Sequence, residues 1–177
     1  MWRKTSDAFA LCDTPRMVIR YFTLEDAANL QEILGDAETM EHCEPAYDPE
    51  KTAAFLSSFC VEQRGAVAAV HRESGKVIGY ILLREQGEGV YEMGWFFNRS
   101  FWRQGYAMEA CKAVMDYAFQ KRNAHKIFAE TIDTVKSVPL MKKLGMQPEG
   151  IQRSQVKDPR GNWADLHLYG LLQKEQA

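Results

Sequence analysis

Cysteine is scarce and scattered. Cys12, Cys43, Cys60 and Cys111 form no CxxC pair, so the chain encodes neither a disulfide framework nor a thiolate metal knuckle. A chain of 177 residues can bury a full core without covalent staples, and free thiols are expected. Long apolar runs are also missing: none approaches the roughly 18 residues that argue for a spanning helix. The first turns of sequence carry Arg3, Lys4, Asp7, Asp13 and Arg16 with no apolar leader segment, so the expected location is cytoplasmic. Charge of one sign is not in excess, because 22 Lys and Arg against 24 Asp and Glu leave a formal charge of −2. No general attraction to nucleic acid or a membrane surface is built in. Repeats, low-complexity tracts and linkers are absent as well. What remains is one domain over residues 16–172, with an N-terminal extension at 1–15, expected to be mobile, and a short tail at 173–177.

The 46% of hydrophobic residues fall into short patterned segments. Arg16 to Phe22 alternates like a strand, and Thr23 followed by Asp26 marks the start of a helix to about Leu34. Asp48-Pro49-Glu50 opens a second helix, which Gly65 would end. Ala66 to Val70, Val77 to Leu83 and Val90 to Phe97 are apolar runs separated by Gly-containing breaks, which predicts a three-strand antiparallel meander. From Gly105 onward, Ala107, Ala110, Cys111, Val114 and Ala118 recur at helical spacing. Lys126 to Thr131 is a further strand, Val135 to Leu144 a helix stopped by Gly145, and two strands flank the turn at Asp158 to Asn162. The interleaving predicts an α/β (α+β) fold: a central mixed, mostly antiparallel sheet of about seven strands with helices on its faces. The fourth and fifth strands, joined by the long helix, should run parallel.

Chemistry concentrates where the fourth strand hands over to that helix, from Glu92 to Ala110. A helix N-terminus presents free N–H groups and a positive dipole end to an anion. Arg103 adds a charge, and Gly105 permits close backbone approach. Together these features suggest a diphosphate cradle.

The words of this stretch resemble the acetyl-coenzyme A motif of the GNAT acetyltransferase superfamily, in its ribosomal-protein N-terminal (alanine) acetyltransferase-like branch. The family's E-x-G-Y-x-x appears as Glu92-Met93-Gly94-Trp95-Phe96-Phe97. Its W-G-x-G-Y-A-T-E-A appears as Trp102-Arg103-Gln104-Gly105-Tyr106-Ala107-Met108-Glu109-Ala110, with six of nine positions matching. Ala129-Glu130-Thr131, Ser137 and Lys143-Leu144-Gly145-Met146 are similar to later family phrases, and Gly161 to Asp165 with Tyr169 to its closing hairpin.

The resemblance implies a GNAT fold in which the fourth and fifth strands splay apart and the pantetheine arm of acetyl-CoA lies in the gap, along Trp95, Phe96 and Phe97. The backbone of Trp102, Arg103, Gln104, Gly105, Tyr106, Ala107 and Met108 would hold the pyrophosphate, and a strand N–H near Phe97 would face the thioester oxygen. Thr134 stands where the family usually has an Asn beside the cofactor. Glu92 is the first candidate base and Glu130 the second. Ser137 is the candidate donor to the leaving sulfur, with helix capping as its competing role. Three departures stand out. Arg103 replaces a glycine, which is tolerable where its φ is not positive; Thr134 replaces the Asn; and Met141 replaces the tyrosine that many superfamily members use as acid.

The implied reaction is direct attack of a primary amine on acetyl-CoA in a ternary complex, with no metal. The leading acceptor is a protein N-terminal α-amine of the ribosomal-protein type. The alternatives are a small-molecule amine (polyamine, amino acid or aminoglycoside-like) and a non-catalytic acyl-CoA-binding module. The acidic run Glu38, Glu41, Glu44, Asp48 and Glu50 leans toward a polycation. Glu41-His42-Cys43-Glu44 offers metal-capable side chains, but four consecutive residues do not converge on one ion without a special turn. Cys111 reads as a buried helix residue, not a nucleophile. Trp163, Asp165, His167 and Tyr169 share a strand face that is a candidate border of the acceptor pocket. Monomer and homodimer both remain open.

Overall fold

Each apolar run of the sequence forms a strand in the computed structural model, which describes residues 10–176. The elements are β1 (Ala10–Asp13), β2 (Met17–Tyr21), α1 (Ala27–Leu34), α2 (Pro49–Phe55), β3 (Ala66–His71), β4 (Val77–Gly87), β5 (Val90–Phe97), α3 (Tyr106–Lys121), β6 (Lys126–Thr131), α4 (Ser137–Lys143), β7 (Gln147–Lys157) and β8 (Trp163–Leu172). Eight strands form one sheet in the order β1-β2-β3-β4-β5-β6-β8-β7, one strand more than the patterning predicts. The extra strand is β1, which pairs antiparallel with β2. Its four residues, ALCD, are too short to carry a period. Residues 1–9 of the expected extension lie outside the described residues.

The sheet separates two cores. On one side α3 lays Ala110, Cys111, Val114, Met115, Ala118 and Phe119 on Met93, Phe97, Ile127 and Ala129, and α4 adds Val138 and Met141. On the other side α1 and α2 cover Val18, Ala66, Ala68, Val70 and Tyr80. Among the described residues only β5 and β6 run parallel, with α3 as their crossover. Beyond α2 the chain widens into a π-helical segment, Leu56–Glu62. Such widened turns re-aim the side chains they carry and occur frequently at functional sites.

One buried ion pair fixes the entry to α1. Arg20 on β2 grips both carboxylate oxygens of Asp26 at 2.8 and 2.9 Å, and Asp26 also accepts the Thr23 N–H at 2.8 Å. The helix start expected at Thr23 and Asp26 holds, and the acid has a cation waiting for it. Removing one partner of a buried pair leaves the other charge unmatched. Asp26→Ala is therefore expected to destabilise the protein by about 3 kcal/mol, read as a lowered denaturation midpoint; Arg20→Met/Asp26→Leu together should recover most of that loss.

Candidate active site

The site begins where a ladder stops. The parallel register of β5 and β6 runs Val90↔Lys126, Tyr91↔Ile127, Glu92↔Phe128 and ends there, although β5 continues to Phe97 and β6 to Thr131. The Asn98 N–H donates to the Ile78 carbonyl on the β4 side. Antiparallel alternation then turns the peptide groups of Met93, Trp95 and Phe97 the other way, into the widening gap. The Phe97 carbonyl is already taken by the Trp102 indole N–H at 2.8 Å, but the Phe97 N–H is not. A strand edge with unmatched peptide groups is a template for an extended ligand. Phe97 itself is seated by Gly79 on β4, where a Cβ would meet the ring at 2.4 Å.

After β5 the chain makes a single 3₁₀ turn, capped by the Asn98 side chain on Ser100 N–H, and enters α3 through Gly105 at φ +82°. The Trp102 N–H bonds to Arg99 O. Among the described residues, no protein acceptor takes the N–H groups of residues 103 to 108. The expected cradle is thus six donors, and Trp102 belongs to its scaffold. Arg103 departs from expectation: its φ is +60°, the left-handed conformation that the sequence reading required it to avoid. The turn closes only with a left-handed residue at that point, and the chain carries the strain with an arginine instead of relieving it with glycine.

Arg16, to which the sequence reading gave no role, holds this turn from outside. Its backbone N–H and Nε bond to the two oxygens of Glu109 at 3.0 and 2.7 Å, and Nη1 donates to Gln104 O at 2.9 Å. Its guanidinium also lies 4.0 Å from the Tyr106 ring centroid. Tyr106 in turn bonds to His71 at 3.1 Å and packs on Phe101. Nothing local in sequence links Arg16 to Glu109; only the sheet brings them together.

A cleft of about 1460 Å³ opens from this turn across the splay to α2 and the α1–α2 loop. Of the candidate catalytic and cofactor-binding residues, Glu92, Trp95, Phe96, Phe97, Trp102, Arg103, Gly105, Tyr106, Ala107, Met108, Glu130 and Ser137 line it. Two do not. The Gln104 side chain bonds to Ser100 O and faces solvent, so only its backbone serves the turn. Thr134 is exposed and does not line the cleft; the turn around Asp133 points it outward. The proposed border on β8 is also reversed. Tyr169 is buried against the α3 core and Trp163 is exposed, while Leu166 of the opposite face lines the cleft.

Glu92 and Glu130 lie on one face, because Glu92 pairs with Phe128 and Glu130 lies two residues further along β6. Glu92 accepts from the Gln86 amide at 2.6 Å, leaving its other oxygen free. Glu130 has its pKa raised, by partial burial and then by the charge of Glu92. Ser137 gives its hydroxyl to Asp133 at 3.2 Å. Capping of α4 falls to Asp133, which accepts the N–H groups of Val135, Lys136 and Ser137. Burial opposes the charge of Asp133, but those donors and His42 outweigh it and hold its pKa low. An Asp two residues before Val135 was the sequence signal for this cap.

These features, a splayed parallel pair and a donor-lined turn at the head of the crossover helix, define an acyl-CoA transferase fold. Residues 16–147 match the acetyltransferase (GNAT) domain model. The chain is 32% identical over 166 residues to the uncharacterized N-acetyltransferase YnaD of Bacillus subtilis, covering 92% of this chain and 96% of that one. The fold is shared, at 17% identity, with the ribosomal-protein-S5-alanine acetyltransferase from Vibrio fischeri (TM-score 0.77, 94% and 98% covered). It is shared at 18% with a spermidine N-acetyltransferase chimera from Vibrio cholerae and hSSAT (TM-score 0.78, 90% and 97% covered). The chain belongs to the GNAT acetyltransferase family, whose acyl donor is acetyl-CoA. Among the described residues no His, Cys, Asp and Glu cluster could hold a metal ion, and no helix is long and apolar enough to cross a membrane.

Two outcomes follow from this geometry. Arg103→Gly relieves left-handed strain of about 1–2 kcal/mol against an unfolded-chain entropy loss of about 0.4–1 kcal/mol. The variant should therefore unfold at higher denaturant while binding acetyl-CoA more weakly, the binding loss shrinking as salt is raised. Glu130 is protonated in folded and unfolded chains at low pH, and its ionisation costs stability as pH rises through its elevated folded pKa. Glu130→Gln should accordingly raise Tm at pH 7.5 and leave it nearly unmoved at pH 4.

Proposed function

We propose that this protein transfers acetyl from acetyl-CoA to a primary amine by direct attack in a ternary complex, the acceptor being the α-amine of a polypeptide N-terminus. The observation that carries the reading is the end of the β5–β6 ladder at Glu92, which leaves peptide donors on one side of the gap and a carboxylate at its mouth. The thioester supplies an acyl carbon that is already activated. The six N–H groups of residues 103 to 108 hold the diphosphate, and a gap-side N–H of β5 near Phe97 polarises the thioester carbonyl. Glu92 takes the proton of the attacking amine, directly or through one water. An α-amine, with a pKa of roughly 7.7–8.0, needs far less help than a lysine at roughly 10.4, which suits a half-exposed carboxylate.

Ser137 does not stand ready as an acid, since its proton is directed to Asp133. It orients the α4 turn, and the leaving thiolate, near the ordinary thiol pKa of about 8.5, departs without a dedicated donor. A covalent detour through cysteine has no support. Cys111 is fully buried, with its pKa raised by that burial. Cys43, in the cleft, has its thiol pushed up to about 11 by burial and by Glu44. The four free cysteines suit a reducing, cytoplasmic setting.

The polycation alternative drew on the acidic run before α2, and that run is spent internally. Glu38 pairs with Arg99 at 2.7 Å, Glu41 with Lys136 at 2.7 Å and Glu44 with Lys51 at 2.8 Å, while Asp48 caps α2. The Lys136 bond lowers the pKa of Glu41. Glu50 alone remains of the set.

Release of free thiol from acetyl-CoA in the presence of peptide α-amines tests the reading directly. Glu92→Gln should lower kcat by about 100-fold near neutral pH, with the deficit narrowing as pH rises and the amine deprotonates unaided. An unaltered pH–rate profile removes Glu92 as base.

A further inference from the structure

The acceptor half of the cleft has a wall whose chemistry is more specific than a primary amine requires. Tyr47 before α2, Phe55 on α2, Phe59 on the π-helical segment, Tyr80 on β4 and Phe96 on β5 all line it. They form one continuous ladder: Tyr47 meets Phe55 edge-on at 5.7 Å, Phe55 stacks on Phe59 at 5.1 Å, and Tyr80 joins Phe55 at 5.9 Å to Phe96 at 6.0 Å. Phe55, Phe59 and Phe96 are only half-buried, so aromatic surface that the core does not use remains open to the cleft. The π-helical stretch follows Phe55 directly and carries Phe59. The Tyr47 hydroxyl is bonded to Glu44 at 2.5 Å, so that residue offers the cleft a ring and not a donor.

We infer that the acceptor is a primary amine carried on an apolar, ring-sized body, with its amine between Glu92 and Glu130 and its body on the Tyr47–Phe55–Phe59–Tyr80–Phe96 wall. The inference rests on the transferase reading above and names the substrate class of the same site. Both carboxylates line the cleft on the sheet face that Tyr80 and Phe96 share. An aromatic wall also attracts cations, but here cations already occupy its approaches. The Lys51 ammonium lies 3.8 Å from the Tyr47 centroid, Arg84 is the cross-strand partner of Glu92, and Lys136 sits at the far rim over Trp102. A second ammonium on the substrate would find ring and acids already taken, since Lys51 is paired with Glu44 and Lys136 with Glu41, whereas an alkyl or aryl group would bury apolar surface on the rings. The same chemistry is presented by a free aralkylamine and by a polypeptide whose first residue is large and apolar.

The test is a thiol-release assay with acetyl-CoA and four kinds of acceptor: 2-phenylethylamine, ethylamine, spermidine, and a peptide pair identical except for Phe or Gly as first residue. The expected result is a kcat/KM at least about tenfold higher for 2-phenylethylamine over ethylamine and spermidine, or for the Phe peptide over the Gly peptide, the scale a hydrophobic pocket provides. Whichever pair turns over faster identifies the source of the amine. Phe59→Ala should shrink the aromatic-to-small ratio at least about fivefold, and Phe59→Leu by less. Because the ratio is taken on one preparation, a loss of folded protein cancels from it. Equal rates across each pair, or a preference for spermidine, overturn the inference and leave acetyl transfer to a primary amine standing, the spermidine preference also removing the polypeptide acceptor. Binding of acetyl-CoA by calorimetry with no thiol released to any of these amines overturns both.

Discussion

The site depends on two strands that stop pairing. Over Val90 to Glu92 the β5–β6 ladder is an ordinary parallel pair, and past that point the strands keep their own length without each other. Divergence is tolerated because each strand is held on its other side: β5 by a long antiparallel register with β4, from Gly79↔Phe97 to Gly87↔Val90, and β6 by β8 from Lys126↔Leu172 to Thr131↔His167. Buried peptide groups otherwise need partners. A gap lined by unmatched ones persists where solvent or a ligand supplies the bonds, and this gap opens into the cleft. The α3 crossover follows from the same arrangement, since parallel neighbours cannot be joined by a hairpin. That topology is what sets a helix N-terminus at the head of the gap.

The turn into α3 concentrates strain and positive charge where an anion is to be held. Two left-handed residues, Arg103 and Gly105, lie two positions apart, and the helix they open has no side-chain cap. A Ser or Asp at the N-cap would satisfy one of those donors itself; its absence keeps the whole first turn available. Arg16 compensates on the outer side through Glu109 and the Gln104 carbonyl. Glu109 interacts favourably with the helix N-terminus and with Arg16 at once, so one carboxylate ties β2 to α3 without occupying the cradle.

Legibility in sequence followed the range of the interaction. Strands, helices and the α3 stripe were readable because periodicity is local, as were the caps at Thr23 and Asp48. β1 was not, because four residues show no period and its pairing comes only from β2. The motif words located Glu92 and the turn, but they also carried Thr134 into the site, and the Asp133 cap turns that residue to solvent. Ser137 lines the cleft with its hydroxyl on Asp133, because α4 starts at Ser137, two residues later than Val135, and the cap falls to Asp133. The β8 face was reversed for a related reason. Alternation separates two faces, but only packing says which one meets the core, and Tyr169 rather than Leu166 went inward.

Charge is the property that composition described least well. Read along the chain, the segment before α2 is an acidic patch fit for a polycation. Read in space, its acids are matched one by one to Arg99, Lys136 and Lys51, none adjacent to its partner in sequence. Exposed pairs of this kind add little stability each, so their consequence lies elsewhere. They cancel the field that would draw multiply charged amines and leave Glu92 and Glu130 as the carboxylates facing the gap. Glu130 is itself held back from ionising by partial burial and then by Glu92. Beyond these two acids the cleft wall is aromatic, so one ammonium at the gap and apolar surface beyond it are what this end of the cleft offers.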